Sequence, residues 1–179
     1  MNWNELLRSE LEAAYHATNG LIDLVDGDLG WKPQSGNNWM TIGQLLMHLS
    51  NACGATFKGF VTGDWGMPEG MDPENMPADA MLPPAEKLPA VESVAQAREL
   101  LAADKQLALE MLEQASSRME EPTPAPWAPD HPSPLGQQLL GMINHLTLHK
   151  AQLFYYLKLQ GKPVNTYTMF GMAAEPAAS

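Results

Sequence analysis

The sequence holds a single cysteine, Cys53, in 179 residues. A lone thiol closes no internal disulfide, which excludes a disulfide-stapled fold and agrees with a reducing compartment. Cys53 therefore reads as packing. Basic residues are also scarce: 10 lysines and arginines against 21 aspartates and glutamates give a formal net charge of -11. Such an excess repels phosphate backbones, and no basic stripe offsets it locally, so nucleic acid is not expected as a partner. No apolar run approaches about 18 residues, which argues against a membrane span. The start, Met1-Asn2-Trp3-Asn4-Glu5, lacks the basic segment and apolar stretch of a secretory signal, and a cytoplasmic location is the expectation. A 45% hydrophobic content over this length suits one domain across residues 1–179.

Strand-like alternation, heptads and internal repeats are missing as well, and four helical patterns with two long proline-rich connections remain. The first runs from Asn2 to Val25, with Trp3, Leu6, Leu7, Leu11, Ala14 and Leu21 at helical spacing. It stops in Asp26-Gly27-Asp28-Leu29-Gly30. Thr41 with Gln44 forms a capping box that opens a second helix to about Val61. Residues 63–90, crowded with Gly and Pro, read as a long loop. A third helix is expected from Ser93 to about Met119, roughly 27 residues or about 40 Å. Prolines from Pro122 to Pro134 mark the second connection, where Ser133-Pro134 offers an N-cap and first position for the fourth helix. That helix ends at Gly161-Lys162-Pro163, a C-cap glycine with proline beyond. The tail from Tyr167 reads as an apolar anchor and then, over about 173–179, a frayed end. The expected fold is all-α, a four-helix bundle.

His145 and His149 stand four residues apart on the fourth helix, one above the other on one face, close enough for two imidazoles to reach one metal ion. Alone this pair is also what two ordinary histidines on an amphipathic face would give. His48 lies beside the apolar stripe of the second helix and so aims at the interior. A lone interior histidine is commonly a hydrogen-bonded core residue, but side chains from facing helices are what build metal sites in bundles. His48, His145 and His149 are therefore the candidate ligands, leaving a fourth coordination position open.

Trp31-Lys32-Pro33, the run Trp39-Met40-Thr41-Ile42-Gly43-Gln44-Leu45-Leu46-Met47-His48, and Ile143-Asn144-His145-Leu146-Thr147-Leu148-His149-Lys150-Ala151-Gln152-Leu153 ending at Gly161-Lys162-Pro163 resemble the DinB/YfiT-like metal-binding proteins over nearly the full length. The resemblance implies that a histidine of the second helix and the His-x-x-x-His of the fourth hold a divalent ion in a four-helix bundle. His48, His145 and His149 match those positions. Lys150, where many relatives carry arginine, and the long 63–90 loop depart from the commoner pattern. The resemblance further implies a homodimer, and a metal-dependent enzyme acting on a small molecule as a thiol-dependent S-transferase using a low-molecular-weight thiol.

An ion with three imidazole ligands and an open position can lower the pKa of bound water to about 7 or bind a thiol. Zinc and nickel come first, although imidazole also suits copper and iron, and hydrolysis stands beside thiol transfer as the reaction. The rival is a non-catalytic metal-binding or stress-related protein whose ion is structural. Catalysis needs a further polar group. Asn144, Gln152, Tyr155 and His16 are the candidates, with Asn144 turned about 100° from its neighbouring ligand and Gln152 placed to support His149. His131 reads as an exposed loop residue. Trp31 and Trp39 read as packing over the bundle end, and Trp65 and Trp127 as loop anchors or pocket walls. Met67, Met71, Met76 and Met81 suit a flexible cover better than a Cu(I) site.

Overall fold

The computed structural model describes residues 2–66 and 83–172. Each end of the first helix follows from its local chemistry. α1 spans Trp3–Ile22, and the Asn2 carboxamide accepts from the N–H groups of Asn4 and Glu5, two of the donors a helix start leaves unpaired. It stops three residues short of Val25 because Leu24 and Val25 already bond three residues back, in tightened turns.

Where one helix was expected from Thr41 to about Val61, the chain forms two, α2 (Ile42–Leu49) and α3 (Gly54–Thr62). The ladder breaks after Ser50, whose N–H still reaches Leu46 O at 3.0 Å while Asn51 N–H turns back to His48 O at 3.3 Å, and the Ser50 hydroxyl shares its one proton between the carbonyls of Leu46 at 2.8 Å and Ala97 at 3.0 Å. The new helix then needs a cap, and Cys53 supplies none. Asp104, from the middle of α4 (Val94–Gln114), does so instead. Its carboxylate accepts from Cys53 N–H at 3.1 Å, from Gly54 N–H at 2.9 Å and from the buried Tyr15 hydroxyl at 2.6 Å. Burial still holds the Asp104 carboxyl above the ordinary carboxylate range, against the pull of those donors. A Cβ on Gly54 would lie 2.5 Å from the Asp104 carbonyl oxygen, so only glycine lets α3 approach α4 this closely. Cys53 is fully buried, and burial with the nearby Asp104 charge pushes its thiol up to about 12, an inert packing group as expected.

α4 ends at Gln114 rather than near Met119. The prolines after it, read as marking an extended connection, form an antiparallel hairpin: β1 (Pro122–Ala125) pairs with β2 (Ala128–Pro134), Thr123 opposite Ser133. In a two-stranded ribbon both strands are edges, so a proline's missing N–H can face away from the partner. Ser133 is thus committed to the strand. The fifth helix, α5 (Leu135–Leu159), starts one residue later than expected, with Pro134 as its N-cap. Its first donors, Leu135 and Gly136, bond to the carbonyls of Glu121 and Met119 at 2.9 and 2.8 Å. Its end matches expectation, with Gly161 at φ +78°. A one-turn helix, α6 (Thr166–Met169), follows in the tail.

Among the described residues the protein is mostly helical with one small two-stranded sheet. α1 packs on α4 and α5, and α2 and α3 lie against the same two helices. One contiguous apolar cluster runs through them, including Leu11, Leu46, Phe57, Leu101, Ala108, Leu139 and Leu153. Among the described residues, no helix is long and apolar enough to cross a membrane. Within the long connection a 3-10 turn forms at Ala85–Lys87. Met67, Met71, Met76 and Met81, and the tail from 173, lie outside the described residues.

Asp104→Ala removes the α3 cap and leaves the Tyr15 hydroxyl and two buried N–H groups unpaired, so it should lower unfolding free energy by about 3 kcal/mol. Tyr15→Phe, which leaves the cap intact, should cost about 1 kcal/mol. Urea titration of both variants checks the ranking, and equal costs would mean that the cap contributes nothing.

Candidate metal centre

The last turn of α2 carries His48, so the placement of α2 decides where that imidazole stands. The helix start is tightly held. Ile42 N–H donates to Trp31 O at 2.9 Å, Gly43 N–H to Leu29 O at 2.7 Å, and Gln44 N–H to the Thr41 hydroxyl at 3.2 Å. The Gln44 side chain returns the bond to Thr41 N–H at 2.8 Å, completing the capping box read from the sequence. Its amide nitrogen also donates to the carbonyls of Ala85 and Leu88 at 2.8 and 2.9 Å. The same side chain thereby starts α2 and fastens the returning end of the long connection beside it.

Across from α2, His145 and His149 project one turn apart from α5. The three imidazoles converge. His48 Nε2 and His145 Nε2 are 3.0 Å apart, and the ring centroids lie 4.9 Å (His48 to His145), 4.3 Å (His48 to His149) and 4.7 Å (His145 to His149) from one another. One ring nitrogen from each can be chosen so that all three lie within 4.8 Å of one another. Metal–nitrogen bonds of about 2.0–2.1 Å in a tetrahedral arrangement place donor nitrogens roughly 3.3 Å apart, so this spacing fits a single ion after small side-chain adjustments. The group is half-buried and contains no carboxylate. His48, His145 and His149 together can hold a divalent ion through neutral nitrogens.

All three rings favour that neutral form. Burial, then repulsion from the His149 and His145 rings, pushes His48 down to about 4. Burial likewise lowers His145, helped by His149. His149 is lowered by burial, while its bond to Gln152 pulls the other way. These shifts favour cation capture, because a protonated imidazole cannot bind metal.

Of the other described residues singled out from the sequence, Gln152 alone hydrogen-bonds to a candidate ligand side chain, its Oε1 lying 3.0 Å from His149 Nδ1. His16 is elsewhere, its Nε2 2.9 Å from the Gly171 carbonyl oxygen, where it ties down the tail. His131, Asn144 and Tyr155 are exposed. Trp31 and Trp39 pack edge-on against Tyr156 at 5.4 and 6.2 Å, and Trp65 and Trp127 pack with Phe60. Tyr156 is the residue sequence reasoning missed. It accepts from Gln152 Nε2 at 3.0 Å and donates to Met40 O at 3.0 Å. The signal was present, since positions 145, 149, 152 and 156 follow one helical stripe. A cavity of about 220 Å³ adjoins His48, lined also by Gln44, Met47, Asn51, Leu88 and Pro89.

The sequence profile of the DinB superfamily matches residues 10–153, a span that includes all three histidines. The chain belongs to the DinB superfamily. No curated protein and no solved structure matched it significantly. Membership of the DinB superfamily agrees with the helical architecture and with a three-histidine cluster shared between α2 and α5.

In the folded DinB-superfamily chain His48 takes up a proton only near pH 4, whereas an unfolded histidine does so near 6.5. Between those values the unfolded chain binds more protons, so stability falls as pH drops through this window and levels off below it. Thermal melts of metal-free protein from pH 7 to 4 should show that decline, and His48→Gln should reduce it. An unchanged decline in the variant would mean that other groups cause it.

Proposed function

We propose that this protein holds one divalent transition-metal ion, zinc or nickel, through His48, His145 and His149 in a four-helix bundle whose second helix is split, and that it is a metal-dependent enzyme acting on a small molecule. The convergence of three neutral imidazoles from two helices carries the reading. When bound, such an ion supplies Lewis acidity at an open position and makes an incoming water or thiol easier to deprotonate. Thiol-dependent S-transfer and hydrolysis are the two reactions this chemistry serves, the former with a low-molecular-weight thiol.

The chain's own residues shape what enters. The cavity beside His48 has Met47, Leu88 and Pro89 as apolar walls and Asn51 and Gln44 as polar edges, and among the described residues His48 is its one titratable side chain. Gln44 fixes the Leu88 side of that cavity to α2. These features suit an uncharged, mainly apolar portion of a small substrate.

A second reading, an ion that only staples α2 to α5, is favoured by one observation. Among the described residues the cluster holds no further acid or base, and the polar side chains beside it, Gln44, Asn51 and Gln152, are committed to hydrogen bonds within the fold. Elemental analysis of protein made without tag or chelator should give about one equivalent of zinc or nickel, lost in each of His48→Ala, His145→Ala and His149→Ala with helicity retained. Holoprotein that then consumes thiols against electrophiles or hydrolyses activated esters or amides supports the enzyme; metal without any turnover supports the staple. No bound metal ends both readings.

A homodimer is proposed on the outer face of α5. Leu148, Tyr155 and Leu159 are exposed there, and Lys150, the one lysine between Leu135 and Leu157, is buried. Two chains of charge -11 can meet most readily over a helix that has no acidic residue from Leu135 to Leu159 and exposes Lys158 beside Leu159. Sedimentation should show Leu148→Glu as a monomer under conditions where wild type is a dimer; a wild-type monomer would refute the proposal.

A further inference from the structure

We propose that Tyr156 fixes the tautomer of His149, acting through the carboxamide of Gln152, so that the lone pair of His149 lies on Nε2 and the proton on Nδ1. One group in this line of bonds has a single possible role. The Met40 carbonyl can only accept a hydrogen bond, and Tyr156 O–H donates to it at 3.0 Å. A phenol has one proton, so toward Gln152 the Tyr156 oxygen can only accept. The Gln152 amide nitrogen, 3.0 Å away, must therefore face Tyr156, which turns the amide oxygen toward His149 Nδ1, also at 3.0 Å. An amide oxygen accepts, so Nδ1 carries the proton and donates it, and Nε2 keeps the free lone pair.

Polarity thus runs one way, from His149 through Gln152 and Tyr156 to a carbonyl more than a hundred positions away in sequence. The far end is firm. Tyr156 is 2% exposed and flanked by Trp31 and Trp39, and Met40 directly precedes the capping box that starts α2. The other two histidines differ. His48 Nε2 and His145 Nε2 face each other at 3.0 Å, so one of them carries a proton toward the other. Among the described residues their Nδ1 atoms have no hydrogen-bond partner, so nothing there selects a tautomer. His149 is the preset ligand of the three, and Gln152 and Tyr156 are its positioning residues.

The importance of Nε2 rests on the metal reading, but the tautomer does not, and the test separates them. Long-range proton–nitrogen NMR of the full chain, metal-free and zinc-loaded, reports which imidazole nitrogen is protonated. Metal-free wild type should show His149 as a single Nδ1–H form. Tyr156→Phe frees the amide to turn over, and should give a mixture of tautomers with zinc affinity about tenfold weaker; Gln152→Leu should weaken it about ten- to a hundredfold. In the double variant Gln152→Glu with Tyr156→Phe the single Nδ1–H form should return, because a carboxylate has no donating end to turn toward His149. An Nε2–H form in wild type, an unmixed tautomer in folded Tyr156→Phe, or no rescue by Gln152→Glu would each overturn the proposal. Should Tyr156→Phe fail to fold, Gln152→Leu, at a half-buried position, decides on the same readout. Wild type with the expected tautomer that binds no zinc would support this proposal and defeat the metal reading.

Discussion

The first three N–H groups of α2 have no partner within their own helix, and where each of them goes decides where His48 stands. Two reach the Trp31 and Leu29 carbonyls and the third the Thr41 hydroxyl. None is left to water, so the segment at 29–31 acts as a template against which the helix begins. Gly43 marks how close that template is: a Cβ there would meet Leu29 O and the Ala90 side chain at 3.3 Å. From the other side Val91 N–H reaches Gly43 O at 3.1 Å and Gln44 holds Ala85 and Leu88. A helix of eight residues pinned so firmly at its start has little freedom at its end, two turns on, where His48 meets the α5 pair.

The features legible in the sequence were those with local causes. The Thr41–Gln44 box, the Gly161 stop and the His145–His149 spacing each depend on residues within a few positions of one another, and each stands where the pattern put it. The convergence of His48 on that pair followed from its place beside an apolar stripe, with the family resemblance choosing this over an ordinary core histidine. What could not be read depends on partners far along the chain. The break at Ser50 leaves a local trace in Ser50, Asn51 and Gly54, but the cap that makes a second helix worth forming is Asp104, fifty positions on. The proline hairpin failed a rule that holds for central strands; a lone two-stranded ribbon has none.

Gln152 and Tyr156 show the intermediate case. Their spacing with His145 and His149 is visible in the sequence, but their meaning is not, because an amide can be turned either way and only a fixed acceptor decides which. That acceptor, the Met40 carbonyl, belongs to the same short stretch that opens α2. One tyrosine therefore touches both halves of the site: through Gln152 it reaches the His149 ring, and through Met40 it braces the helix that bears His48. Loss of its hydroxyl would disturb a ligand it never contacts.

The helix break also has an electrostatic consequence for a bound cation. Because α2 ends at Leu49, the residue after His48, the partial negative charge of its C-terminal carbonyls lies beside the imidazoles, and a helix end contributes about 0.3–1 kcal/mol toward a nearby cation. Had the helix continued to Val61, that end would have been about three turns away. Among the described residues the cluster has three neutral imidazoles and no carboxylate, so no protein ligand there would cancel the charge of an ion it held. The compensation left is indirect: the α2 terminus nearby and the acidic excess of the whole chain at longer range. A divalent ion held there would be weakly neutralised and would therefore act as a strong Lewis acid.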